Sequence, residues 1–233
     1  MATMSTLRTE TRNLLDDSAS TRWTDADLLS YLNDAQYEFA MVTGSLTKKI
    51  TLTLTTGTAE YTLSFTSGSD TLGLAGPLET VYFSNTTTGL TRTLYPTSEK
   101  QLDATVGPMW RSEAFDCDNG QTPVQYYLTP DTDMSASSYA ARFKIGIYRK
   151  PTIALSATNF KLVVSAPVLP SALVNTGDIP EIFLQFHQAL PYGAAYRALL
   201  RNQDTVSLEL AGVYKTRFNE FVEMAKATLG GVR

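Results

Sequence analysis

The chain of 233 residues has one cysteine, Cys117, and one histidine, His187. A lone cysteine excludes an intrachain disulfide and every multi-cysteine metal site, and a lone histidine excludes paired-histidine centres. Charged residues are scarce at 18%, while hydrophobic residues reach 43%, the balance of a packed chain rather than a disordered one. No apolar run approaches the roughly 18 residues a membrane-spanning helix needs. The richest window, Leu162 to Val174, is broken by Pro167 and Pro170. The opening MATMSTLRTETRN lacks the apolar core of a secretory signal, so folding in a reducing cytoplasm is expected. No Gly-x-Gly-x-x-Gly, P-loop or Gly-x-Ser-x-Gly pattern is present, which leaves nucleotide chemistry and a nucleophile elbow without support. The net charge of −4 argues against tightly held nucleic acid.

What the sequence does have is threonine, about one residue in seven, which suits pleated strands. Its acidic excess is local. Residues 1–45 carry three Arg against seven Asp and Glu, whereas the remainder is balanced.

Both ends read as helical. Met4, Leu7, Leu14 and Leu15 suggest a short helix stopping near Asp16. Thr24-Asp25-Ala26-Asp27 reads as an N-cap with an acid at the third helical position, close to a capping box. Leu28, Leu32, Ala35, Phe39 and Val42 then form one apolar face ending near Gly44, with Trp23 placed as a staple onto the first turn. At the other end, Asp178-Ile179-Pro180-Glu181 predicts a helix start, followed by Phe183, Phe186 or His187, Leu190, Ala194 and Ala198 on one face. Pro191 inside that pattern predicts a kink or break, at about 3 kcal/mol if unrelieved. A last helix carries Leu210, Tyr214, Phe218, Phe221 and Ala225 and frays at Gly230-Gly231.

Between them the period changes to two. Ile50, Leu52 and Leu54 alternate with threonines, and further strands are expected at 60–66, 78–84, 90–95, 124–128, 140–148 and 160–164, with a short helix over 98–106. The fold class read from this pattern is α+β. A four-helix bundle is formed by both chain ends, 1–45 plus 176–233, with an inserted antiparallel β-sandwich or barrel-like domain over 46–175.

Candidate chemistry is thin. His187 reads as a helix-face histidine, and no triad can be built around it. Asp116-Cys117-Asp118-Asn119-Gly120 resembles a calcium loop only faintly and lacks the closing Glu, so it reads as a polar turn, as does Asp131-x-Asp133. No cofactor and no metal site is expected. Trp110, Phe115, Tyr126, Tyr127 and Tyr148 read first as core, then as an interface, then as a sugar-binding platform. Asp27, Asp34 and Glu38 lie off the apolar stripe of their helix. They are either a solvated face or a channel lining that repels phosphate and keeps DNA sliding.

Two stretches, LRTETRNLLDD…RWTDADLLSYLNDAQYEFA (7–40) and IPEIFLQFHQALPYGAAYRALLRNQD (179–204), resemble the head-to-tail adaptor, or connector, proteins of tailed bacteriophages. The likeness is greatest to the tail-tubular-protein-A type of short-tailed phages. Weaker similarity covers Gly107-Pro108-Met109-Trp110, Thr122 to Tyr127 and Ile145 to Pro151. Pro191 and Gly193 depart from the family by interrupting a helix it leaves continuous. The resemblance implies a virion structural protein without catalysis or cofactor. Its copies, commonly twelve, would form a ring between the portal protein and the tail nozzle or tail tube, and DNA would pass through without specific binding. It also implies portal contact by the stretch from Lys226 to Arg233 beyond the last helix, with Lys226, Thr228, Leu229, Val232 and Arg233 as its residues. Channel-facing acids would be Asp27, Asp34 and Glu38, with Trp110 and Tyr126 at a tail or subunit interface. The rival reading is a tail-associated carbohydrate- or receptor-binding β module built on Trp110. A third, glycan hydrolysis, requires two carboxylates about 5–10 Å apart in a cleft.

Overall fold

The computed structural model describes residues 2–67, 70–115, 122–130, 143–151, 159–201 and 205–230. Cys117 and its polar stretch, Asp131, Asp133, Val232 and Arg233 lie outside the described residues. The chain is a mixed α+β protein with two compact units. One comprises Met1–Leu46 with Val168–Arg233, the other Thr47–Pro167.

In the first unit the chain begins with α1 (Met4–Leu14) and α2 (Asp25–Thr43). The capping box at α2 is complete: the Asp27 amide donates to Thr24 Oγ1 at 3.1 Å and the Thr24 amide to Asp27 Oδ2 at 3.1 Å. Such a cap contributes about 1 kcal/mol by satisfying amides that the first turn leaves unpaired. Trp23 and Leu28, the staple pair, are both buried in the same core. Gly44 ends the helix with φ 59°, a left-handed conformation that costs glycine nothing, and its amide donates to Ala40 O at 2.8 Å.

The second half of this unit is α4 (Ala189–Leu200) and α5 (Thr205–Gly230). Here the pattern misplaced a boundary. The helix expected from Pro180 starts at Ala189, after a single 3-10 turn over Leu184–Phe186. Pro191 therefore occupies the third helical position, where an amide has no intrahelical acceptor to lose, and the helix needs no kink. The carbonyl of His187, which Pro191 would otherwise crowd, accepts from the Leu190 amide at 3.2 Å. Phe183, assigned to the apolar face, is exposed, while Phe186, Leu190, Ala194 and Ala198 are buried. On α5 the inward row is Ser207, Ala211, Phe218, Val222 and Ala225, with Tyr214 and Phe221 half-buried; Leu210 points out.

Helices α1, α2, α4 and α5 share one core drawn from both chain ends. Its centre is aromatic: the Phe39 ring lies 5.6 Å from Phe186 and 6.2 Å, edge-on, from Phe218. The segment 168–178, expected in part within the β region, belongs to this unit. Asn33 on α2 donates to Leu173 O at 3.0 Å and accepts from its amide at 2.7 Å, while Gln36 donates to Ser171 O at 2.8 Å. The Met4 and Ser5 amides donate to Asp178 O and Thr176 O, which satisfies first-turn donors of α1.

The second unit holds two four-stranded sheets. One has the order β1 (Thr47–Thr53), β12 (Phe160–Pro167), β5 (Thr80–Asn85) and β6 (Thr91–Thr93), antiparallel throughout. In it Val164 is flanked by Ile50 and Val81, and Leu162 by Leu52 and Phe83. The other has the order β2 (Glu60–Thr62), β10 (Phe143–Tyr148), β9 (Gln125–Pro130) and β7 (Tyr95–Pro96). The expected all-antiparallel arrangement does not hold everywhere. β7 runs parallel to β9, and the two-residue pair β8 (Ala114–Phe115) and β11 (Lys150–Pro151) is also parallel. A short pair, β3 (Phe65–Ser67) and β4 (Asp70–Leu72), and the helix α3 (Glu99–Thr105) complete the unit. Among the described residues no helix is long and apolar enough to cross a membrane.

Candidate functional site

The densest polar construction in the helical unit is the elbow between α1 and α2. Arg12, buried on α1, donates to Asp17 Oδ2 at 3.1 Å, to Trp23 O from both terminal nitrogens at 3.1 Å and to Asp25 Oδ1 at 2.6 Å. Asp17 accepts in turn from the Thr21, Arg22 and Trp23 amides and from the Thr21 hydroxyl. Burial pushes the Asp17 carboxyl up, but these donors together outweigh it and hold it down at about 2. Every acceptor faces a donor, so the elbow is a fixed corner rather than a reactive centre.

The three α2 acids expected to line a channel, Asp27, Asp34 and Glu38, do not share one environment. Asp27, besides closing the capping box, accepts from Arg201, the residue that caps the end of α4, at 2.9 Å. The Thr24 hydroxyl, the Thr24 amide and Arg201 lower its pKa. Glu38 pairs with Arg197 and accepts from the Tyr196 hydroxyl at 3.0 Å. Burial, opposed by Arg197 and reinforced by Glu38, pushes the Tyr196 phenol up to about 12. Asp34 is exposed, and Arg197 reaches its backbone carbonyl at 3.4 Å. Two of the acids expected to repel phosphate therefore hold α2 to α4 through arginines. The signal missed in the sequence was Arg197 and Arg201, four residues apart and hence one turn apart on the same face.

Trp110 and Tyr126 are packed inside the β unit. Trp110 is 3% exposed and Tyr126 is buried. The Trp110 indole donates to Asp103 at 2.7 Å; Tyr127 and Tyr148 meet it edge-on at 5.2 and 6.3 Å, and the Arg111 guanidinium covers its face at 4.3 Å. With its faces occupied, Trp110 offers no stacking platform to a sugar. Burial, with Glu60 nearby, pushes the Tyr127 phenol well above its ordinary value. A cleft of about 350 Å³ beside this cluster includes Glu60 and Glu113 in its lining. Glu113 accepts from the Tyr148 hydroxyl at 2.8 Å and pairs with Arg149 at 3.1 Å, and Glu60 accepts from Tyr127 at 3.4 Å. Both carboxylates are engaged by donors of their own unit. Among the described residues no His, Cys, Asp and Glu cluster could hold a metal ion.

The helical unit keeps surfaces of another kind. A groove of about 360 Å³ opens between α1 and the start of α4, lined by Leu14, Pro191 and Tyr192 among polar neighbours. Tyr192 continues into Tyr214 and Phe221 of α5, at ring distances of 5.9 and 6.2 Å. Half-buried aromatic rows of this sort are typical anchors of protein interfaces. Lys226, Thr228 and Leu229 were expected in a tail beyond the last helix; they sit on its final turns, because α5 continues to Gly230. There Lys226 pairs with Glu223 at 2.8 Å and the Thr228 hydroxyl donates to Met224 O at 2.8 Å.

The sequence matches the SU10 adaptor protein family over residues 2–231. The chain belongs to the SU10 adaptor protein family. It is thus a bacteriophage adaptor, a structural kind of protein and a virion component. No curated protein matches the adaptor. The family match spans both units, so the β unit is as much part of the adaptor as the helices are.

Proposed function

We propose that the adaptor forms a ring between the portal protein and the tail nozzle, framing the channel through which DNA passes without specific binding. The reading is the narrower one suggested by the order of the sequence segments, that of the tail-tubular-protein-A type. The observation that carries it is the match to an adaptor family across 2–231. The exposed end of α5 supports a portal contact through Lys226, Thr228 and Leu229, continued by Val232 and Arg233. Asp34 is the acid of α2 that remains free to face a channel, since Asp25, Asp27 and Glu38 are bound to arginines. A head-to-tail ring needs heterologous contacts that close by rotation, and the apolar positions left open on the helical unit suit such contacts.

Negative-stain imaging of the adaptor mixed with its portal protein tests the reading. Closed rings seated on the portal are expected, and they should vanish when residues 226–233 are deleted. Absence of any association between adaptor and portal would overturn it.

A further inference from the structure

We infer that the outer face of α5 pairs with the same face of a second copy, antiparallel and about a two-fold axis. Beside the buried row of α5, about 100° round the helix, runs a second line of residues: Val206, Leu210, Val213, Arg217, Glu220, Met224 and Ala227. Their steps are four, three, four, three, four and three, the heptad spacing of a helix-pairing seam. The line is open to solvent, with Val206 74%, Val213 61% and Met224 57% exposed. A helix face meant only for water carries charge, yet this one carries apolar residues at every position but two. Those two are Arg217 and Glu220, which lie side by side as an ion pair.

The two charges choose the partner and its direction. In a parallel pair, Arg217 would meet Arg217 and Glu220 would meet Glu220, a juxtaposition of like charges. In an antiparallel pair with Arg217 opposite Glu220 of the second copy, symmetry supplies the contact twice. The same register sets Val213 against Met224 and Leu210 against Ala227 on both sides, so long residues meet short ones in each flanking layer. A contact in which one patch meets its own copy is isologous and closes at two. Such a pair differs from the proposed head-to-tail ring. It covers the α5 face in the free protein, and the face must be released before that ring can use it. The inference does not depend on portal binding.

Sedimentation equilibrium of the full chain reads the outcome. A monomer–dimer equilibrium in the micromolar range is expected. Arg217→Glu or Glu220→Arg alone should weaken dimerisation by about ten-fold or more, because each places like charges in contact twice. The double exchange Arg217→Glu/Glu220→Arg should restore it. These side chains are exposed, and unchanged helical circular dichroism verifies that the fold persists. The inference is overturned by a monomer at all concentrations, by single charge reversals without effect, by failure of the double exchange to restore pairing, or by larger rings without a dimer. Portal attachment, measured separately, decides only the ring reading.

Discussion

The ring of Phe218 on α5 closes on Gly193 of α4 so tightly that a Cβ at 193 would stand 2.9 Å from its Cδ2 and Cε2 atoms. The same Cβ would stand 2.8 Å from Ala35 on α2. Three helices meet at a residue without a side chain, and the space is used by aromatic packing instead.

Gly193→Ala should therefore destabilise the protein, although alanine is the better helix former by about 1 kcal/mol. Overpacking costs about 1–3 kcal/mol, and contacts this short put it at the upper end, so a net loss of about 2 kcal/mol is expected from urea denaturation.

Gly146 on β10 presents a harsher case. It pairs with Tyr127 on β9, and the Tyr127 ring lies across the position a Cβ would fill. Gly146→Ala should cost about 3 kcal/mol or more. The penalty should fall below about 1 kcal/mol in a Tyr127→Ala background, because the two residues compete for one space. A double-mutant cycle by thermal or urea unfolding measures that coupling.

Acid should act on the elbow at Asp17. Its folded carboxyl titrates at about 2, below its ordinary 3.8. A depressed carboxyl stabilises the fold fully above the unfolded value, and this contribution drains away as pH falls through the folded one. Stability should decline between about pH 4 and pH 2. Asp17→Asn should lower the midpoint of urea unfolding at pH 7 and flatten the decline. Some slope will remain, because Asp25 is held low by Arg12 and Asp27 by Thr24.

Pro191→Ala should change stability by less than about 1 kcal/mol, since no intrahelical hydrogen bond is gained at the third position of a helix. A gain of about 3 kcal/mol or more, the relief expected at a helix interior, would contradict the start at Ala189.

The helices of the N-terminal half were legible in sequence because local signals agree there. Thr24 and Asp27 cap, Gly44 terminates, and Leu28, Leu32, Ala35 and Phe39 between them are buried; Val42, assigned to the same face, is exposed where the helix runs out. The start of α4 was not, because Asp178 and Glu181 imitate a first turn while performing another task. Asp178 accepts from the Val174 and Asn175 amides at 2.7 Å, and Glu181 from the Ser171 amide at 2.9 Å. A carboxylate on free amides is the chemistry of a helix start, and here it fixes a non-helical segment. The pairings of Glu38 with Arg197 and of Asp27 with Arg201 join residues far apart in the chain; the spacing of the two arginines marks a basic face but not the acids it meets. Trp110, read first as core, is buried, although the 3-10 turn over Pro108–Ser112 that carries it is too short to show a periodic pattern.

The amide of Val168 donates to Leu46 O at 2.9 Å, so the chain leaves the helical unit and re-enters it at neighbouring points. Among the described residues, the buried cluster of the helical unit is drawn from the two stretches on either side of those points alone. A short turn bridging them would close the helices into an uninterrupted small protein, and a different module could be spliced in their place. The β unit is in this sense a cassette, entered and left by the chain at a single doorway between Leu46 and Val168.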